Sequence, residues 1–400
     1  MARNGRPPKV LFVATSAEIG GLEAQVLGLS RQFSARGWRT QTVFPLTPRS
    51  APLLDWSRAQ GVAAEASAAV REVVAPHSGG DLWRLRRLVR RSGADVVNLH
   101  YGGGHIALKD VLAVRLAGRA RCVATVLHPV PWEEAGGRKR RLTRLAAHLC
   151  HSVVTISQAT RDVLLTASVP SGKVHLIPCG VPLPARRPTQ AQARAELGLP
   201  AAAFVIAALA RLTAAKGLDV LIEAVARLQR AGAGREAAPP VWLLHAGDGE
   251  ARPGLERQAA AALPGGYRFL GRVADTAPVY AAADVFALPS RREGFGLVYV
   301  EAALHGVPSV GCAVGGVTDV IVHGETGLLV PPEDVDALTG SLRRLADDPR
   351  WRRRLGAAAR ARAAAEFTEP VMADRYAAVF RGGGRPRSAA PHDQGPLSER

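Results

Sequence analysis

Lys9-Val-Leu-Phe-Val-Ala14, a loop containing Gly20-Gly21, a helical pattern from Leu22 to Arg36 closed by Gly37, and Thr40-Gln-Thr-Val-Phe44 form one continuous passage. The first run is short, apolar and rich in β-formers, as buried parallel strands are. Glycine commonly closes a helix, so Gly37 marks where this one stops. Strand, helix and strand in that order make a βαβ unit. Further strands are expected from Asp95 to His100, Val123 to Leu127 and Ser152 to Ile156, with helical or loop segments between them. Such alternation implies a doubly wound parallel sheet.

The pattern then breaks and starts again. Pro178-Cys-Gly-Val-Pro-Leu-Pro-Ala-Arg-Arg-Pro188 holds four prolines, which fit poorly inside regular elements, and reads as an interdomain linker. A second alternation begins with a strand from Phe204 to Leu209 and a helix from Leu218 to Ala231. It continues with a strand from Val241 to Ala246 and a helix from Leu255 to Ala262. Strands at Tyr267 to Leu270, Asp284 to Leu288, Pro308 to Gly311 and Gly327 to Val330 complete it. Residues 335 to 366 read as two Ala/Arg-rich helices, Glu369 to Arg381 as a last one, and residues 382–400 as a disordered tail rich in Gly, Pro and Ser. The expected organisation is therefore an N-terminal domain over 1–182, a C-terminal domain over 183–366, and a helix over 367–381 that packs back on the first domain. Loops at the carboxyl ends of doubly wound strands bind ligands, so two such domains facing one another are expected to place chemistry in a central cleft.

Composition narrows the class. Four hundred residues exceed the usual reach of one core, and 47% hydrophobic with 22% charged residues excludes wholesale disorder, coiled coil and collagen. The longest apolar run, Ala201 to Ala210, is ten residues, against the ~18 to 20 needed to span a bilayer. Basic residues precede Val10, but the apolar run there is too short for a signal h-region and meets Thr15-Ser16. Cys122, Cys150, Cys179 and Cys312 are far apart, without a C-x-x-C pair, which indicates neither a zinc site nor a disulfide framework and suits a reducing cytosol. The formal charge of +18 is uneven: residues 1 to 182 hold 25 Lys plus Arg against 11 Asp plus Glu, whereas the remainder holds 27 against 23. An anionic partner for the first half is one explanation, and a compositional habit, with only five lysines among 52 basic residues, is the other.

The densest chemical signal is Ser290-Arg-Arg-Glu-Gly-Phe-Gly-Leu-Val-Tyr-Val-Glu301, directly after an apolar strand. Gly294 and Gly296 stand at the expected start of a helix, whose free N–H groups suit a phosphate. Glu301 lies about two turns along at ~3.6 residues per turn. Two carboxylates beside a phosphate site make chemical sense if each accepts hydrogen bonds from hydroxyls of a larger ligand, as a sugar and a ribose would offer. Ala210-Arg-Leu-Thr-Ala-Ala-Lys-Gly217 also follows a strand, and its Arg211 and Lys216 can neutralise a diphosphate. Taken singly, these residues read as solvated charges and helix-end carboxylates. It is their combination that points to a ligand.

Together with Lys216-Gly-Leu-Asp219, Gly247-Asp-Gly249, Phe269-Leu-Gly-Arg-Val273, Ala283-Asp-Val285, Gly306-Val-Pro308, Gly315-Gly316 and Gly324-Glu-Thr-Gly-Leu-Leu-Val330, the sequence from about 203 to 331 resembles the nucleotide-sugar-dependent glycosyltransferases of family 4. Gly20-Gly-Leu-Glu23, His100, His128, Thr155-Ile-Ser157 and Ile177-Pro-Cys-Gly-Val181 carry a weaker likeness in the first half, where Cys179 stands in place of the family's usual Asn. The resemblance implies a GT-B architecture of two Rossmann-like domains, a retaining hexosyl transfer without a metal, and donor binding mainly in the C-terminal domain. Carried over, Arg211 and Lys216 hold the donor diphosphate, and backbone groups of Phe295, Gly296 and Leu297 contact phosphate and sugar. Glu293 binds sugar hydroxyls as an orienting residue, Glu301 takes the ribose, and Arg272-Val273 lie against the base. Gly20 and Gly21 approach the β-phosphate, and His128 stands near the transferred sugar. His100 and His105, flanking Tyr101-Gly-Gly-Gly104, are candidate acceptor contacts. No cofactor or metal is expected, and no Asp-x-Asp type carboxylate pair is prominent at a strand end.

Other classes fit less well. An NAD-dependent oxidoreductase would show the G-x-G-x-x-G spacing, which Gly102-Gly103-Gly104 lacks. A sugar-nucleotide epimerase or phosphorylase on the same scaffold is the alternative kept beside the transferase. The basic runs Arg84-Leu-Arg-Arg87, Arg90-Arg91 and Arg138-Lys-Arg-Arg141 match no nucleic-acid reader motif. They suit peripheral contact of a cytoplasmic enzyme with the inner face of an anionic membrane.

Overall fold

From Val10 onward every residue of the first strand, β1 (Lys9–Ala14), is buried. A strand apolar on both faces belongs inside a sheet that helices cover on each side. β1 accordingly pairs in parallel with β2 (Arg39–Pro45) on one edge and β4 (Val96–Tyr101) on the other. The computed structural model describes residues 6–72, 79–128, 136–232 and 239–382, so the proposed tail from 383 lies outside the described residues. Within them β3 (Ala64–Ser67), β5 (Arg121–Val126), β6 (Ser152–Thr155) and β7 (Val174–Leu176) complete a parallel sheet in the order β3-β2-β1-β4-β5-β6-β7. The helix Gly21–Ala35 follows β1 and ends two residues before Gly37.

The second sheet repeats this logic with β8 (Phe204–Leu209), β9 (Val241–Ala246), β10 (Tyr267–Phe269), β11 (Val285–Leu288), β12 (Ser309–Cys312) and β13 (Gly327–Val330). Its order is β10-β9-β8-β11-β12-β13. In both sheets the chain winds outward from one central strand and then crosses to its other side. The loops after β1 and β4 therefore diverge, as do those after β8 and β11, and each divergence opens a crevice at the carboxyl ends of the strands. Two stretches that sequence patterning passes over are strands: Ala64–Ser67 and Val174–Leu176. Both lie at sheet edges, where little apolar patterning is required.

The chain divides into one unit of residues up to Pro182 plus the stretch from Glu366, and another of Leu183–Ala365. The linker stretch is only partly a linker. Val181 donates its N–H to Phe367 O at 2.9 Å and accepts from Glu369 N at 3.0 Å, so the outgoing and returning chains pair within the first unit. The helix Glu369–Arg381 then lies on the helix Gly21–Ala35. Phe380 meets Phe33 at 5.1 Å and Phe12 at 6.3 Å between ring centroids. Tyr376 Oη accepts from Gln25 Nε2 at 3.2 Å and lies 3.3 Å from Thr125 Oγ1.

That hydroxyl ends a buried polar chain. Asn98 Nδ2 donates to Thr125 Oγ1 at 3.0 Å and to Val123 O at 3.3 Å, so its oxygen faces His100 Nε2 at 2.8 Å and the imidazole donates. His100 is fully buried, and burial pushes it down to about 3, so it is neutral at physiological pH. The expectation of an acceptor contact at His100 is therefore corrected: the ring is an interior hydrogen-bonding group of β4. Phe380→Ala should cost about 3–5 kcal/mol, the usual range for deleting a buried phenyl ring. Urea unfolding monitored by circular dichroism checks this, and a loss below 1 kcal/mol would mean that the helix contributes little to the first unit.

Candidate functional site

At the second sheet's switch point the loops after β8 and β11 are drawn together by the backbone itself. Gly217, which follows the single turn Ala214–Lys216, has φ +65°, and a Cβ there would lie 2.1 Å from Pro289 O. Only glycine permits that approach. Arg291 N donates to Ala215 O at 2.8 Å. The Arg291 guanidinium donates to both oxygens of Asp219, at 2.9 and 2.7 Å, and also reaches Glu333 and the carbonyl of Ala214. This fork holds the Asp219 carboxyl below its usual value.

Two of the expected site residues meet across this junction. Lys216 Nζ donates to Glu293 Oε2 at 2.6 Å, with side chains 21% and 10% exposed, so the pair is screened from water but open to a ligand. Ser290 Oγ stands 3.5 Å from the same oxygen, and Gly294 N donates to Glu293 Oε1 at 3.2 Å. An ammonium has three donors, so a lysine pinned by one carboxylate keeps donors for an incoming anion. Gly296 comes next, with φ +88° and its Cα hydrogens against Tyr299, where a Cβ would lie 2.5 Å from the ring. It caps the helix Leu297–Leu304, whose first N–H groups face forward without intrahelical acceptors. Tyr299 is buried and donates to Leu288 O at 2.5 Å, which fastens this helix start beneath the end of β11. Phe295 is buried beside it. A lysine, a carboxylate and a helix N-terminus thus converge where the sheet opens, a combination that binds phosphate and orients hydroxyls.

Glu301 lies further along the same helix. Its Oε2 accepts from Tyr280 Oη at 2.6 Å, and burial raises the Glu301 carboxyl, with that hydrogen bond pulling it partly back. Tyr280 is fully buried and stacks on His305 with centroids 5.2 Å apart. Arg211 is exposed at the start of the loop after β8, and Arg272 is exposed and Val273 half-buried past β10. Gly20, Gly21 and His128 belong to the first unit, exposed beyond the carboxyl ends of β1 and β5 respectively, and His105 is half-buried. Sequence reasoning misses Arg291, Tyr280 and Tyr299. Arg291 sits inside the quoted segment, but its partner Asp219 is 72 residues away, and nothing in spacing announces the pairing.

Comparison with known proteins bears on this arrangement. Residues 19–184 match the family model described as Glycosyltransferase Family 4, and residues 203–348 match that of Glycosyl transferases group 1. The chain is 32% identical over 302 residues to a GDP-mannose-dependent monoacylated alpha-(1-6)-phosphatidylinositol monomannoside mannosyltransferase of Corynebacterium glutamicum, covering 72% of this chain and 77% of that protein. The chain belongs to glycosyltransferase family 4. A D-inositol 3-phosphate glycosyltransferase of Corynebacterium diphtheriae is a further relative, 28% identical over 396 residues that cover 91% of this chain and 90% of that one. The same fold is seen in solved structures. Anabaena HepE in complex with UDP superposes with a TM-score of 0.79 at 22% identity, over 93% of this chain and 99% of that one. WaaG, a glycosyltransferase involved in lipopolysaccharide biosynthesis, gives 0.66 at 17% identity, over 94% and 100%. The two parallel-sheet, Rossmann-like units are those of GT-B glycosyltransferases.

The raised pKa of Glu301 sets a sign for its pH dependence. A carboxyl raised in the folded chain favours folding while it is protonated, and that contribution is lost as pH rises through its folded value. Glu301→Gln keeps an acceptor for Tyr280 and removes the ionisation. The variant's Tm minus that of the parent should therefore grow as pH is raised from 4.5 to 8. Calorimetric scans across that range check it, and a pH-independent difference would show that Glu301 is ordinarily solvated.

Proposed function

We propose that this family 4 glycosyltransferase moves a hexosyl group from a nucleotide-diphosphate sugar to an acceptor hydroxyl, with retention of configuration and without a metal. The observation that carries the reading is the Lys216–Glu293 pair at the head of the helix Leu297–Leu304. In this reading Lys216 and Arg211 meet the diphosphate, joined by backbone groups of Phe295, Gly296 and Leu297. Glu293 orients the sugar by its hydroxyls, Glu301 takes the ribose, and Arg272 and Val273 border the base. Gly20, Gly21 and His128 are the first unit's contribution to substrate binding, with the glycine backbone serving the β-phosphate and His128 the transferred sugar.

The chemistry follows from where charge develops. As the bond from the anomeric carbon to the diphosphate oxygen breaks, negative charge accumulates on the leaving group, and fixed cations and N–H groups stabilise it with no rearrangement. The acceptor oxygen attacks from the face that the diphosphate leaves. It forms the new glycosidic bond and passes its proton to a phosphate oxygen, so Glu293 is an orienting residue and no protein nucleophile is needed. The names of the relatives support an acceptor bearing an inositol phosphate, free or lipid-linked, and GDP-mannose among the donors to test first.

Lys216→Ala and Glu293→Ala should each cut transfer by about 100-fold or more, in line with losing a fixed electrostatic group, while circular dichroism stays that of the parent. Mass spectrometry of products from a matrix of nucleotide sugars and inositol-phosphate acceptors, with and without EDTA, reads this out. Near-parent turnover in either variant would remove the assignment, and loss of turnover in EDTA would remove the metal-free step.

A lipid-linked acceptor calls for contact with a membrane surface. Among the described residues no helix is long and apolar enough to cross one. Leu142 and Leu145 are exposed on the helix Gly137–Leu149, beside Arg138, Lys139, Arg140 and Arg141, the combination that suits an interfacial helix. The chain should co-sediment with phosphatidylglycerol vesicles at physiological salt, and Leu142→Ser with Leu145→Ser should reduce the bound fraction severalfold. No binding by the parent would favour a soluble acceptor.

A further inference from the structure

The amino ends of the first unit's strands, the edge opposite to the loops of Gly20 and His128, line a cavity of about 400 Å³ that is open on one side to solvent. That is within the ~300–1,000 Å³ of small-molecule sites. Arg6 ahead of β1, Arg90 in the last turn of the helix Gly79–Ser92, Arg119 and Arg121 at the start of β5, and Arg381 at the end of the C-terminal helix all line it. Among the described residues Asp95 is the acidic member of the lining. Its Oδ2 accepts from Lys9 N at 2.9 Å, and its Oδ1 lies 3.9 Å from Arg6.

Among the described residues the remaining four guanidinium groups have no carboxylate. Among the described residues, Arg90, Arg119, Arg121 and Arg381 make no ion pair, and Arg121 Nε is buried without a hydrogen-bond partner. A structural explanation is available for part of this charge. Three helices end here, Gly79–Ser92, Leu108–Ala117 and Glu369–Arg381, and each C-terminus presents roughly half a negative charge. Together with Asp95 they offset about half of the five positive charges, which leaves an excess of the size that a phosphate dianion would neutralise. Guanidinium groups bind phosphate oxygens in bidentate fashion. Trp38 and Phe380 add an apolar stretch to the same lining, suited to the carbon part of an organic phosphate.

We propose that this cavity is a binding site for a small organic phosphate, separate from the residues assigned to the sugar donor. Because Arg121 begins β5 and Arg381 ends the returning helix, an occupant joins the sheet to that helix and stabilises the first unit by mass action.

The test is calorimetric titration of the full chain with glycerol 3-phosphate at low ionic strength, in a Lys216→Ala background that disables the proposed donor site. One saturable site is expected, weakened at least tenfold by Arg90→Ala with Arg119→Ala. Both residues are exposed, so the variant should fold. Arg87→Ala with Arg91→Ala removes the same charge from exposed positions outside the lining, and should leave affinity within twofold. The parent should also gain thermal stability with glycerol 3-phosphate and none with glycerol. The proposal is overturned by an absence of binding, by equal weakening in both arginine pairs, or by binding to phosphatidylglycerol vesicles alone. Loss of the site through Lys216→Ala by itself would equally overturn it and assign the phosphate to the donor site.

Discussion

The Arg291 guanidinium ties two loops together, and the polar geometry of the second unit depends on it. The loops after β8 and β11 carry Lys216 and Glu293, and they diverge from the sheet by topology. Exposed ion pairs contribute little, typically under about 1 kcal/mol. A fork that meets both oxygens of Asp219 and also reaches Glu333 and a backbone carbonyl is more restrictive, because it fixes direction as well as distance. With Gly217 pressed on Pro289, Lys216 Nζ is brought within 2.6 Å of Glu293. The pair consequently holds its geometry before any ligand arrives, and preorganisation of this kind is what electrostatic catalysis requires.

Much of the fold was legible in the sequence, since buried parallel strands are apolar throughout. β1, β8, β9 and β13 begin and end at the residues expected from the sequence. β3 and β7 escape the same reading because edge strands are held by a neighbour's backbone more than by their own side chains. At the site, Lys216, Glu293 and Glu301 could be picked out because glycine, charge and strand end coincide there. Arg291 and Tyr280 could not. Their value lies in partners far along the chain or in a different element, and a one-dimensional pattern does not record such pairings. His100 illustrates the opposite error: a histidine at a strand end suggests chemistry, but here it closes an internal hydrogen-bond chain.

That chain gives the first unit a core with directional content. Apolar packing of Phe12, Phe33 and Phe380 supplies attraction without specifying alignment. The Asn98, Thr125, Tyr376 and Gln25 contacts demand one register, because a slip would leave buried donors without acceptors. Hydrophobic and polar terms thus divide the work between holding the returning helix and placing it.

The return of the C-terminal helix to the first unit also orders events during synthesis. The face that receives Phe380 is made early, whereas the helix that covers it leaves the ribosome only after Leu183–Ala365 has been made. At ~5–20 residues per second that interval is roughly 10–40 s. For that time the nascent first unit presents Phe12 and Phe33 without their cover, a window in which a chaperone or a neighbouring nascent chain competes with the protein's own last helix.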